Sequence, residues 1–368
     1  MKKIKVVMLS PDLDVKGGIS FVVQEYLKGR LEDKVDLHFI PTHRDGSLLK
    51  KIGVFLAAVG QFIALAPKMK HMIVHFHTSQ NGSFFRKFIL FCIAKIMGAK
   101  TIVHIHGSQF DAFMTKNAFF RGLTRFYFDK ADRILVMSKK WVERVSHFTK
   151  NKNITLLYNP ASLSRTRDSN HHEQINILFM GRLGQRKGIY DLLECIARNK
   201  DYFQDQHAKF ILAGDGEVGQ VRQFVADNDL KNLIEVPGWI ANDQKKKYLE
   251  TSDILILPSY NEQMPMSILE AMGYGCPIIA TNIAGIPDMV AHGENGFLFE
   301  PGHVDDMTQA LKNLCTDAAL REKMGKKSQE FIKEKFENTK IVNQLASIYE
   351  NLGCQTSIES SKSDRSEG

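Results

Sequence analysis

The chain has 368 residues, 43% of them hydrophobic and 24% charged, which is enough to bury a sizeable core and excludes an intrinsically disordered chain; at roughly 150 residues per domain, two domains are expected. Its 49 Lys and Arg against 41 Asp and Glu divide unevenly, 27 against 11 in residues 1–165 and 22 against 30 in the rest. Such asymmetry points the N-terminal part at something anionic, a nucleic acid or a membrane surface.

The stretch Lys5-Val6-Val7-Met8-Leu9 runs into Ser10-Pro11-Asp12. It is too short for a signal peptide and reads as a first strand, so a cytoplasmic protein is expected. The longest uncharged apolar run, Ile52 to Pro67, falls short of the roughly 18 residues of a membrane span. Five cysteines without a CxxC pair suit a reducing compartment and exclude a disulfide framework or a cysteine zinc site.

Short β-rich runs at Lys5–Leu9, Val35–Ile40, His71–Phe76, Thr101–His106 and Arg133–Met137 alternate with helix-like stretches. The polar segment 166–173 then reads as a linker. A second alternating set follows at Ile175–Met180, Lys209–Ala213, Ile234–Val236, Ile254–Leu257 and Pro277–Ala280. The pattern implies an α/β protein of two doubly wound, Rossmann-like domains, 1–165 and 174–328, with ligands beyond the carboxyl ends of the strands. A helical segment, 329–352, lies within a long helix expected from Leu320 to Leu352, and a disordered tail, 353–368, closes the chain.

Three loops carry groups that could do chemistry. After the first strand, Gly17 and Gly18 open a helix, which is either a tight turn or a backbone approach to a phosphate. After Ile175–Met180, the segment Gly181 to Gly188 supplies Arg182 and Lys187, a fork donor and a point charge suited to a diphosphate, or else a solvated basic loop. After Ile254–Leu257, Glu262 in a loop and Glu270 on a helix flank Met264, Pro265 and Met266, with the proline at the first helical position. Two carboxylates and a helix N-terminus can hold hydroxyls and an anion together, although a capping and a solvated glutamate would be the plainer reading.

Glu262 and Glu270 form an E-x7-E motif. With Gly181-Arg182…Lys187-Gly188, Gly17-Gly18, Gly285-Ile286-Pro287-Asp288 and Asn295-Gly296-Phe297-Leu298, it resembles the family-4 retaining glycosyltransferases of the GT-B fold, over residues 1 to about 350. The resemblance implies two facing domains, the first binding the acceptor and the second the nucleotide-sugar, with the C-terminal helix crossing back to the first. It implies that Arg182 and Lys187 bind the donor diphosphate, Glu270 the ribose and Glu262 the donor sugar. Met264, Pro265 and Met266 would lie near sugar and phosphate, Gly17 and Gly18 would approach the diphosphate from the other domain, and Gly238, Trp239 and Ile240 would bind the base. His106 matches the active-site histidine, and Asp288 stands where many members carry Glu. The catalytic set would be His106, Glu262, Arg182 and Lys187. The implied function is retaining transfer from a UDP- or GDP-sugar to a lipid-linked saccharide or polysaccharide, in capsule, O-antigen or exopolysaccharide synthesis. An inactive nucleotide-sugar or polyanion-binding module of the same fold and a nucleotide-sugar epimerase are the alternatives.

His75 and His77, like His104 and His106, share a strand face. No clustered Cys or carboxylate completes a metal site, so no metal and no other cofactor is expected. Asp12-Leu13-Asp14 reads as loop polarity. The stretch Leu48–Lys70, with Phe84-Phe85-Arg86-Lys87-Phe88 and Phe119-Phe120-Arg121, mixes cations with apolar side chains. It fits either an anionic leaflet or a helix whose apolar side faces the core. A peripheral place on the inner face of the membrane is expected, and nucleic-acid binding is not, since no recognised motif accompanies the charge.

Overall fold

Near-continuous Val, Ile and Leu runs make strands that must be covered on both faces, and such strands pair in parallel. A computed structural model describes residues 3–164 and 174–363, with side chains to residue 354; the expected linker, 166–173, and the last residues of the expected tail, 364–368, lie outside the described residues. The chain divides into two units, residues 1–160 with 338–368, and residues 161–337.

The first unit holds β1 (Lys5–Ser10), β2 (Asp36–Pro41), β3 (Met72–Thr78), β4 (Lys100–Ile105), β5 (Arg133–Val136) and β6 (Ile154–Leu156). They form a parallel sheet in the order β2-β1-β3-β4-β5-β6. All seven residues of β3 are buried, because it lies inside the sheet with helices on its faces. The second unit holds β7 (Ile175–Met180), β8 (Ala208–Ala213), β9 (Ile234–Gly238), β10 (Ile254–Leu257), β11 (Ile278–Thr281) and β12 (Gly296–Phe299). Its parallel order is β12-β11-β10-β7-β8-β9. In each sheet the chain reverses its direction of travel once, between β1 and β3 and between β7 and β10. Crevices at such reversals are where doubly wound sheets hold ligands.

The long helix expected from Leu320 is interrupted. Helix Ala318–Phe331 passes through a π turn, Ile332–Phe336, before helix Asn338–Ser363 begins. That last helix belongs to the first unit. Asn338 Nδ2 donates to the Glu25 carbonyl at 2.7 Å and to Glu25 Oε2 at 3.0 Å. Gly29 makes the approach possible, since a Cβ there would stand 1.9 Å from Asn338 Oδ1. Ile341, Leu345, Tyr349 and Leu352 recur at helical spacing and are all buried, so the segment is held by an apolar stripe. The helix also continues beyond Leu352 to Ser363 where a tail without structure is expected; its Ser-, Glu- and Lys-rich composition contains no proline to stop it.

Candidate active site

In the second unit, β7 ends at Met180 and the chain turns through Gly181, Arg182 and the short helix Gln185–Lys187. Gly188 closes the turn at φ 68°, and a Cβ there would stand 1.9 Å from the Pro258 carbonyl oxygen. The loops after β7 and β10 therefore touch backbone to backbone. Tyr260 N–H donates to the Arg186 carbonyl at 2.9 Å and Arg186 Nη1 to the Asn261 carbonyl at 3.2 Å.

This closeness brings the Lys187 ammonium onto Glu262 Oε1, in an ion pair whose side chains are only 13% and 7% exposed. Ser259 Oγ donates to the same oxygen at 2.9 Å. Glu270 pairs with Lys245 and both side chains are largely covered. Pro265 is the N-cap, and helix Met266–Gly273 begins one residue later than expected with no side chain capping it. Met264 is buried. Arg182 is exposed and reaches Asp215 at 3.5 Å. At the end of β9, a Cβ on Gly238 would meet nothing within 4 Å; beside it Trp239 is 44% exposed and Ile240 is buried. The second unit thus holds two covered ion pairs, Lys187–Glu262 and Lys245–Glu270, together with an exposed arginine and an exposed indole.

In the first unit, a Cβ on Gly17 or Gly18 would likewise meet nothing within 4 Å, and helix Gly18–Lys28 has no side-chain cap. His106 follows β4 and its backbone N–H donates to the Thr78 carbonyl at 2.8 Å. Four imidazoles gather here. His106 Nε2 lies 2.9 Å from His77 Nδ1, His75 Nε2 lies 3.3 Å from His104 Nδ1, and His75 Nδ1 lies 2.6 Å from the Tyr349 hydroxyl. Burial lowers the pKa of all four: to about 3 for His75 and His106, and well below the usual range for His77 and His104. The rings are neutral near pH 7. His77 Nε2 and His104 Nε2 are buried without a partner. An orphaned buried N–H is rarer than an under-used acceptor, so both rings carry the proton on Nδ1. His77 then donates to His106 Nε2, which leaves the His106 proton on Nδ1; His104 donates to His75, and His75 to Tyr349. One nitrogen each of His75, His77 and His104 lie within 4.8 Å of one another, a spacing that a metal ion could span. The donor set contains no anionic ligand, and the charge of Lys87 bears on His77.

The glycosyl transferases group 1 family profile matches residues 162–331. An uncharacterized glycosyltransferase of Methanocaldococcus jannaschii is 30% identical over 270 residues, 71% of this chain and 72% of its own length. The chain belongs to the group 1 glycosyltransferases. The Escherichia coli UDP-Gal:α-D-GlcNAc-diphosphoundecaprenol α-1,3-galactosyltransferase is 25% identical over 340 residues, 87% of this chain and 84% of its own. Among solved structures, sucrose-phosphate synthase of Thermosynechococcus elongatus superimposes with a TM-score of 0.78 at 16% identity, over 95% of this chain and all of that one. Anabaena HepE in complex with UDP-glucose does so with 0.73 at 16%, over 94% and 99%. These likenesses show the GT-B fold.

Within this glycosyltransferase, the residues expected on the donor side share the second unit: Arg182, Lys187, Gly238, Trp239, Ile240, Glu262, Met264, Pro265, Met266 and Glu270. Gly17, Gly18 and His106 belong to the first. Three partners escape sequence reasoning. Ser259 and Lys245 bind Glu262 and Glu270, and Asp215 meets Arg182. Asp215 alone had a local signal, standing between Gly214 and Gly216 directly after β8. The surface reading of the N-terminal basic stretches divides. Leu48, Leu49, Leu56, Ile96 and Phe119 of this glycosyltransferase are exposed, at 62–86%. Phe84 and Lys87 are fully buried, because they fall on the helix stripe, with Phe91 and Ala94, that packs against the sheet. Among the described residues no helix is long and apolar enough to cross a membrane.

Proposed function

We propose that this glycosyltransferase moves a sugar, with retention of anomeric configuration, from a UDP- or GDP-sugar to a lipid-linked saccharide or polysaccharide of the capsule, O-antigen or exopolysaccharide type. The observation that carries the reading is the β7/β10 crevice, where Lys187, Glu262 and Glu270 lie beside an uncapped helix N-terminus. Arg182 and Lys187 hold the diphosphate and stabilise the charge that develops on it, the kind of electrostatic contribution that usually dominates such chemistry. Glu262 orients the donor sugar and Glu270 the ribose; Trp239 and Ile240 flank the base, and His106 is the residue of the first unit assigned to the donor sugar. As the bond from the anomeric carbon to the phosphate oxygen breaks, a bond to the acceptor oxygen forms on the same face. The acceptor proton passes to the departing phosphate.

The printed activity of the Escherichia coli relative, which names a diphosphoundecaprenol-linked acceptor, supports the lipid-linked acceptor. A complex of Anabaena HepE with UDP-glucose supports the donor class. This reading assigns no step to a metal: ring nitrogens of His75, His77, His104 and His106 already engage one another and Tyr349, and the charge of Lys87 bears on His77. The exposed apolar residues of helix Leu48–Ala64, beside Lys50 and Lys51, support attachment to an anionic leaflet. Thermal melting in the presence of a panel of nucleoside diphosphates tests the donor site; at 100 times the Kd, a true ligand adds about 2.7 kcal/mol. Stabilisation by UDP or GDP that vanishes in the Arg182→Ala, Lys187→Met double variant is expected, and indifference to every nucleotide would reject the reading. Flotation with vesicles should require anionic lipid and weaken with salt.

A further inference from the structure

Among the described residues, two consecutive basic residues of the first unit, Arg86 and Lys87, have no carboxylate partner. Lys87 is fully buried on helix Gly82–Ile96, and its ammonium donates to Thr42 Oγ1, its one hydrogen bond among the described residues. Thr42 Oγ1 in turn donates to the Ser10 carbonyl at 2.9 Å, at the carboxyl end of β1. Arg86 is half-buried and makes no hydrogen bond or ion pair among the described residues; its Nε is wholly covered and has no partner. Of the carboxylates nearby, Asp12 is bound by Arg44 at 2.7 Å, and Asp45 is exposed, 3.6 Å from His43.

Enclosing a charged ammonium without a counter-ion costs several kcal/mol unless an anion joins it. Burial, with the Arg86 charge added, holds the Lys87 pKa well below that of an ordinary lysine. The Lys87–Thr42–Ser10 chain places the ammonium by the carboxyl end of β1, the strand beside which the sheet order reverses towards β3.

We infer that Arg86 and Lys87, the latter positioned by the Thr42 hydroxyl, form a receptor for a phosphate or diphosphate group on the first unit. An arginine fork and a lysine point charge complement phosphate oxygens. An arriving anion supplies the counter-charge that both groups lack. In the transferase reading, on which this assignment of the anion rests, the group is the diphosphate that links the acceptor saccharide to its lipid; a phosphate of the donor nucleotide has the same chemistry.

The test is calorimetric titration of inorganic pyrophosphate into the full chain carrying Arg182→Ala and Lys187→Met, which removes the donor-side cations. The expected result is one saturable site, weakened at least tenfold by Lys87→Met, a near-isosteric change, and equally by Arg86→Gln at the half-buried edge. No pyrophosphate binding in that background, or binding untouched by both substitutions in proteins whose circular dichroism is unchanged, overturns the proposal. Steady-state kinetics in the otherwise unaltered enzyme separates the sources. A raised KM for the diphosphate-linked acceptor alone assigns the site to the acceptor, and a raised KM for the donor alone assigns it to the nucleotide. The calorimetric arm needs no turnover, so its failure is distinguishable from failure of the transferase reading.

Discussion

The Lys187–Glu262 pair makes a quantitative prediction about stability. Its side chains are 13% and 7% exposed, and among the described residues the only other donor on the bonded oxygen is the Ser259 hydroxyl. Glu262→Ala strands a covered ammonium, and removing one member of a buried pair costs about 3–5 kcal/mol. In a unit of this size each kcal/mol lowers Tm by roughly 2–4 °C, so a fall of roughly 6–20 °C is expected. Lys187→Met strands the carboxylate and should cost a comparable amount, softened by Ser259. The double variant strands neither charge, so its cost should fall well below the sum of the single costs. Urea denaturation of the four proteins closes a double-mutant cycle. A coupling energy of about 2 kcal/mol or more is expected. Single substitutions that each cost under about 0.5 kcal/mol and simply add would refute the claim that these loops are joined by a desolvated ion pair.

Three further outcomes follow from the same geometry. Nitrogen-15 spectra should show His75, His77, His104 and His106 as Nδ1–H tautomers. His77→Asn, whose amide can replace the Nδ1 donor, should preserve the His106 pattern, whereas His77→Leu should release it to Nε2–H; an Nε2–H signal for His106 in the unaltered protein contradicts the assignment. Because folding depresses the His75 pKa from 6.5 to about 3, the unfolded chain binds the extra proton as pH falls below 6.5. The stability contributed by neutral His75 is complete above 6.5 and is lost towards pH 3, at about 1.4 kcal/mol per pH unit. His75→Phe should make the acid slope, measured by urea denaturation between pH 4 and 7, shallower by up to that amount, His77, His104 and His106 supplying the rest, and an unchanged slope would reject the burial argument. Gly188→Ala places a Cβ at positive φ and 1.9 Å from the Pro258 carbonyl oxygen, so it should destabilise by about 1–3 kcal/mol and weaken nucleotide binding. A variant with unaltered melting and affinity would show that the two loops do not meet.

Much of the architecture is legible in the sequence because buried parallel strands write themselves as Val, Ile and Leu runs. Ten of the strands announce themselves this way. β6 does not, since Ile154–Leu156 is three residues of an edge strand, and β12 does not, since Gly296–Phe299 is a four-residue edge strand that opens on a glycine. Helix Asn338–Ser363 joins the first unit through Asn338 and Glu25, a contact between residues far apart in the chain with no local mark on either. The candidate site divides on the same ground. The loops bearing Arg182, Lys187 and Glu262 follow strand ends and could be found, but their pairing depends on β7 and β10 being neighbours. Lys245 beside Glu270 is equally a tertiary fact. Lys87 is instructive in the opposite direction. Its place on the stripe of Phe84, Phe91 and Ala94 was available from helical periodicity, and the surrounding basic composition hid it.

The most direct measurement of the central claim is turnover. The full chain, supplied with a panel of UDP- and GDP-sugars and a polyprenyl diphosphate-linked saccharide, should form a new glycosidic bond from one donor, and proton NMR of the product should show the anomeric configuration of that donor retained. The Lys187→Met, Glu262→Ala double variant should remain folded and be inactive. A donor returned as an isomer without acceptor, a product of inverted configuration, or tight nucleotide binding with no transfer to any acceptor would contradict the account.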